Sequence, residues 1–377
     1  MSRIGETAID RRSAIAYNVT MTSSVLDSSD TYARLDGEGL LARIAGLPDQ
    51  IEGAWAAARA LALPAEYRGV DRIVVLGMGG SGIGGALLRA LAIDMRARTP
   101  IDLVRGYTLP AYVGARTLVI ASSNSGNTEE TVSALARAIA AHARCIVITT
   151  GGRLLEMARA HDLPALTFAW DSEPRSALGW SFASLLAICG GLDLLPDCDA
   201  DLSGALDEMR SLVASIDRDV PETANPAKQL ARRFAGAVPV IIGAEALTPV
   251  AYRWRTQLNE NAKTWAIAEE LPEMNHNAPL GYSLPAALVP MLHVVLLRHA
   301  SMHERIRTRV DLTTEQMRAA GVGVEVLDVP GDSVLSQMLW SIQFGDFTSY
   351  YLGLLNDVHP SPMAALEWIK ERMSASE

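Results

Sequence analysis

The chain contains little of several residue types, and each shortage excludes a class of protein. It has three cysteines, Cys145, Cys189 and Cys198, with neither zinc-type nor C-x-x-C spacing. That leaves incidental buried thiols in a reducing cytosol as the expectation. Positive charge is in deficit: the formal net charge is −10. Nothing so acidic can neutralise a nucleic-acid backbone over any length, although local donors can still hold a small anion. The longest apolar run, near 286–297, is broken by Pro290 and His293. It falls short of the roughly 20 residues needed to span a bilayer. Residues 1–30 are polar and lack the apolar centre of a signal peptide. A soluble, cytoplasmic protein is expected. Aromatic residues are also few, at 6%.

What is present is an apolar content of 49%, rich in Ala, Leu, Val and Gly, with mean hydropathy +0.15. Such a composition suits helices packed closely on parallel strands. A length of 377 residues suits two domains or one large α/β unit. From Asp71 onward apolar runs of strand length alternate with runs at helical spacing, which predicts a parallel sheet covered on both faces. Strands are expected at Arg72–Leu76, Ile101–Arg105, Thr117–Ala121, Cys145–Thr149 and Leu163–Phe168. Helices are expected at Leu40–Leu63, Gly84–Ile93, Asn127–His142 and Leu154–His161. A second cycle follows Pro196, with strands at Pro239–Ile242 and Gly323–Leu327. Its helices fall at Asp201–Ile216, Thr248–Leu258, Glu304–Ala320, Val334–Leu355 and Met363–Met373. Ala287–Leu296 reads as strand or buried helix. The expected division is a tail or arm at 1–35, one α/β domain at 36–195 and a second at 196–377.

The most informative segment is Ser122-Ser123-Asn124-Ser125-Gly126-Asn127-Thr128, between an expected strand and helix. Ser123, Ser125 and Thr128 supply hydroxyl donors, and a helix start adds free N–H groups and positive dipole. No lysine is present, so this is not a nucleoside-triphosphate P-loop. A small monophosphate is the implied ligand.

Gly77-Met78-Gly79-Gly80-Ser81-Gly82-Ile83-Gly84-Gly85 follows the first strand and fits G-x-G-x-x-G in more than one register. A dinucleotide site would want an acidic residue at the end of the second strand. Asp102 stands at that strand's start and Arg105 at its end. The simpler reading is that these glycines bring backbone N–H groups close to a ligand, with Ser81 facing the serine turn. His299 and His303, four apart, could share a helix face, but position 300 is Ala, so no H-E-x-x-H zinc motif exists.

Gly77–Gly85 together with Ser123–Thr128 resembles the sugar isomerase (SIS) domain. Pro174-Arg175-Ser176, Asn259-Glu260-Asn261-Ala262-Lys263 and Leu271-Pro272-Glu273-Met274-Asn275-His276-Asn277 narrow the resemblance to the bifunctional phosphoglucose/phosphomannose isomerase family. The resemblance implies two SIS-type, flavodoxin-like α-β-α domains and a homodimer with shared sites. It places substrate against Gly80, Ser81, Ser123, Ser125, Thr128, Arg175 and Ser361. Glu260 becomes the base, His276 a ring-opening group contributed by the partner subunit, and Lys370 a second ring-opening group. The family usually shows Asp-Pro-Thr-Pro before its terminal lysine-bearing helix; here the residues are His359-Pro360-Ser361-Pro362.

The chemistry is consistent with those residue types. A partly desolvated carboxylate can move a proton between C2 and C1, a histidine can open a ring near neutral pH, and an arginine can steady an enediolate. No metal or cofactor is needed. The expectation is an isomerase for glucose 6-phosphate, and for mannose 6-phosphate, giving fructose 6-phosphate. A non-catalytic phosphosugar-binding module, or an SIS isomerase for another phosphosugar, is the alternative.

Overall fold

The computed structural model describes residues 24–374. Among these, nine strands form two parallel sheets. The first contains β1 (Arg72–Leu76), β2 (Ile101–Val104), β3 (Thr117–Ser123), β4 (Arg144–Thr149) and β5 (Ala165–Thr167), in the order β2-β1-β3-β4-β5. The second contains β6 (Val238–Ala244), β7 (Ile267–Leu271), β8 (Leu292–His299) and β9 (Gly323–Val329), in the order β7-β6-β8-β9. Two α/β units of the SIS type result. The first sheet's order is that of flavodoxin-like folds, which bind ligands where the order reverses, between β1 and β3.

Alternation along β1 shows why both faces are covered. Ile73 and Val75 enter the large core, whereas Val74 and Leu76 enter a smaller cluster with Val119, Ala121 and Leu135. A strand buried on both sides reads as a continuous apolar run, as Arg72–Leu76 does. The large core runs without a break from Ile73 to Ile241, so the halves share it. Its centre is the helix Val334–Leu355, buried on all sides along nearly all its length, with Asp346 and Gln343 among its buried residues. Trp254, on the helix Thr248–Asn261, stacks on Phe344 with ring centroids 5.9 Å apart, and its Nε1–H donates to the Ser341 carbonyl at 2.9 Å. Gly345 lies beneath the indole, where a Cβ would meet Nε1 at 2.2 Å.

Several expectations are corrected. The helix after β1 begins at Gly79, not Gly84, and runs to Asp94. Glycine's weak helix propensity is overridden because this helix must pack without side chains between. A Cβ on Gly80 would sit 2.6 Å from the Pro174 carbonyl oxygen. The expected helix over Leu40–Leu63 is two helices, Leu40–Ala45 and Leu47–Arg59, meeting at Gly46. The ambiguous run before Leu296 is β8, preceded by a short turn at Val289–Met291. His299 ends β8 and is buried, while His303 caps the next helix by accepting from the Arg305 N–H, so the two do not share a helix face. Among the described residues no group of three or more His, Cys, Asp or Glu could hold a metal, and no helix is long and apolar enough to cross a membrane.

Of the expected N-terminal arm, residues 1–23 lie outside the described residues. The rest is packed on the second half of the chain. Leu26 and Leu35 are buried, and Asp27 accepts from the ammonium of the fully buried Lys228 at 2.9 Å.

Candidate active site

The serine turn leaves the carboxyl end of β3, and the glycine run leaves the carboxyl end of neighbouring β1, so both face the first sheet's switch point. The Asn124 N–H donates to Ser81 Oγ at 3.2 Å, tying the loops together. Within the turn, the Gly126 N–H donates to Ser123 Oγ and the Asn127 N–H to Ser125 Oγ, each at 3.2 Å. Ser123 Oγ and Thr128 Oγ1 are 2.9 Å apart. A hydroxyl that accepts from backbone keeps its own proton to donate; one proton of the Ser123–Thr128 pair is spent between them, and the other, with that of Ser125, is available to an anion. Gly126 permits the turn: its φ is +68°, and a Cβ there would collide with the Gly151 carbonyl. Thr128 opens the helix Glu129–Ala140, whose free N–H groups add to the cradle.

Gly80 brings this cradle against the turn Pro174–Ser176, and with it Arg175. The Arg175 side chain is 2% exposed. Its Nε donates to Asn261 Oδ1 at 2.7 Å, and its Nη2 to the carbonyls of Pro360 at 2.9 Å and Ser361 at 3.3 Å. Asn261 is itself aimed by a bond to Ser349 Oγ at 2.9 Å. The carboxylate of Glu260, with 29% of its side chain exposed, stands 3.6 Å from Arg175 Nη1. Burial pushes its pKa above the ordinary value, opposed by Arg175, Arg253 and Lys263. A carboxyl held up by desolvation and next to a fixed cation is suited to general-base work.

Two further residues in this cluster were not assigned a role from the sequence. Glu173 is buried between Arg43, 3.0 Å away, and Arg175, 3.9 Å away. Burial would raise its carboxyl, but the Ser172 and Ser361 hydroxyls, its own backbone and Arg175 outweigh that and bring it down to about 2. Lys263 donates to the carbonyls of Glu260, Pro360 and Pro362. The chain's lysines are Lys228, Lys263 and Lys370, and that rarity was the available signal.

A chain of contacts therefore links the turn of Ser123, Ser125 and Thr128 through Ser81 and Gly80 to the segment of Arg175, and Arg175 to Glu260 and Ser361. His276 stands apart. It ends the turn Glu273–His276 after β7, is exposed, and makes no hydrogen bond or ion pair among the described residues. Asn275 fastens that turn, bonding Thr313 Oγ1 at 2.9 Å and accepting from Arg309 at 3.2 Å. Lys370 lies on the terminal helix Ala364–Ser374, exposed from 364 to 373.

Residues 223–373 match the family described as Bacterial phospho-glucose isomerase C-terminal SIS domain. A bifunctional phosphoglucose/phosphomannose isomerase of Caldicellulosiruptor bescii is 36% identical over 87% of this chain and 97% of its own length. One of that name from Aquifex aeolicus is 31% identical, over 81% of this chain and 91% of its own. Among solved structures, a hypothetical protein of Thermus thermophilus superimposes with TM-score 0.71 at 19% identity, covering 92% of this chain and 94% of that one.

Proposed function

This chain belongs to the bifunctional phosphoglucose/phosphomannose isomerase family, and from that premise we propose that it interconverts glucose 6-phosphate and mannose 6-phosphate with fructose 6-phosphate in the cytoplasm. The observation that carries the reading is the pairing of Glu260 with Arg175 at the edge of a cradle of hydroxyl donors.

Ser81, Ser123, Ser125 and Thr128 hold the phosphate, with Gly80 allowing backbone to approach. The carboxylate of Glu260 takes the proton from C2, leaving the electron pair in a C1=C2 cis-enediolate, and returns the proton at C1. Arg175 stabilises the negative oxygen that develops meanwhile, as a fixed cation in a water-poor site does. Ser361 lines the sugar side. His276 of a partner subunit and Lys370 open the ring. The working unit is a homodimer with sites completed across its interface, each subunit divided into 36–195 and 196–377, and no metal takes part.

Turnover of each aldose phosphate, coupled to detection of fructose 6-phosphate with and without chelator, tests the reaction. Both aldoses should turn over, and chelator should change nothing. Binding of the sugar phosphates without turnover would instead make this a phosphosugar-binding module. Mixing inactive Glu260→Gln and His276→Ala proteins tests the shared site: hybrid dimers should recover part of the activity.

A further inference from the structure

Lys263 is one of seven non-glycine residues with positive φ among the described residues. It follows the last turn of the helix that carries Glu260, with φ +53°. That left-handed conformation is the usual helix exit, and glycine or asparagine normally fills it because a Cβ is strained there. The ammonium meets three carbonyl oxygens: Glu260 at 2.6 Å, Pro360 at 2.9 Å and Pro362 at 2.7 Å. The Pro360 oxygen also accepts from Arg175, so two cations share one carbonyl of this turn. Proline flanks Ser361 on both sides, and the exposed terminal helix starts two residues later. Asn356 reinforces the junction, donating to the Ala262 carbonyl at 2.9 Å and to Thr264 Oγ1 at 2.8 Å.

We infer that Lys263 is a positioning residue of the active site: its ammonium pins the Pro360–Pro362 segment to the exit of the Glu260 helix. It thereby fixes one wall of the site and the direction in which the terminal helix departs. The part that concerns turnover rests on the isomerase reading; the pin itself does not. A charged donor to three carbonyls at once is a stronger tether than neutral hydrogen bonds would give. Lys263 touches no reacting atom in this scheme and acts through Glu260, Arg175 and Ser361.

Lys263→Gly separates the tether from the backbone. Glycine suits the left-handed position, so the variant should still fold, melting a little below the wild-type protein because the three hydrogen bonds are lost. Its amides between 356 and 374 should nevertheless exchange with solvent about tenfold faster in the full-length, ligand-free protein. With sugar phosphate, kcat should fall about tenfold while KM moves less, as expected when the reacting groups lose their aim. Lys263→Arg, which keeps a charged donor, should restore part of the exchange protection. Unchanged exchange in Lys263→Gly would overturn the pin, and faster exchange with unchanged kcat would overturn its positioning role. If the wild-type protein turned over no hexose phosphate, the isomerase reading would fail, and exchange would still decide the pin.

Discussion

Arg175 Nη1 and Glu260 Oε2 stand 3.6 Å apart, although they come from different halves of the chain. Neither has its character without the other: Arg175 offsets part of the desolvation that raises Glu260, and Glu260 favours the charged form of the buried guanidinium.

Glu260→Gln keeps the shape and removes the proposed base, so kcat should drop by about 10² or more with little change in KM. In the wild-type protein the acid limb of kcat/KM should lie above the ordinary glutamate value of 4.5, because burial is the largest influence on Glu260. The stability effect has the opposite slope from that of most carboxylates. A raised carboxyl favours the fold in acid, and that contribution is lost as pH rises through the folded-state pKa. Glu260→Gln should therefore equal wild type in acid and be at least as stable at neutral pH. Denaturant titrations at several pH values will check this.

Glu173 titrates the other way. Its carboxyl falls from an ordinary value of 4.5 to about 2, so it stabilises the fold above pH 4.5 and loses that contribution as pH drops toward 2. A shift of that size corresponds to about 3 kcal/mol at neutral pH. Glu173→Gln should lose most of it and show a flatter acid-denaturation profile.

The proposed phosphate cradle predicts a different kinetic pattern. Removing a hydroxyl from Ser123 or Ser125 deletes a hydrogen bond to a charged group, which should raise KM about tenfold or more for each. The handle is held equally before and in the transition state, so kcat should move far less. Thr128→Ser retains the donor and should stay near wild type in steady-state assays.

Gly345→Ala tests the core that positions Glu260. The added methyl has nowhere to go but into the Trp254 indole, and overpacking of this kind costs about 1–3 kcal/mol. Trp254→Ala should cost about 3–5 kcal/mol through loss of packing. The two losses should not add: with the indole gone, the alanine at 345 fits, which a double-mutant cycle in urea will reveal.

Much of the fold and part of the site were legible in the sequence, for identifiable reasons. β1 and β3 are buried on both faces and so read as unbroken apolar runs. Ser123, Ser125 and Thr128 were visible because a strand, a hydroxyl-rich turn and a helix follow one another directly. β7 was not: Ile267-Ala-Glu-Glu-Leu271 is an edge strand with Glu269 and Glu270 exposed, and it shows no alternation. Helix Leu178–Gly191 carries no amphipathic period because nearly every residue is buried. The glycine run read as loop because propensity is local, whereas the fit of Gly80 against Pro174 depends on chain 94 residues away. The contact of Arg175 with Asn261 spans 86 residues, and its contact with Pro360 spans 185. No spacing rule expresses such pairs, and only resemblance to relatives connected Arg175 and Glu260 beforehand.

The same long spans set a schedule for synthesis. At about 5–20 residues per second, Arg175 is made on the order of ten to forty seconds before Pro360. During that interval the carbonyls that receive its guanidinium do not exist, and a buried cation without them is unfavourable. The first sheet can form as its strands emerge, but the full acceptor set of Arg175 is complete only afterwards. A chain broken off before residue 360 would contain the phosphate loops and Glu260 yet lack an acceptor for each of the cations Arg175 and Lys263. The last turn before the terminal helix therefore completes the acceptor sets of both cations, and a shorter copy would hold each of them by fewer bonds.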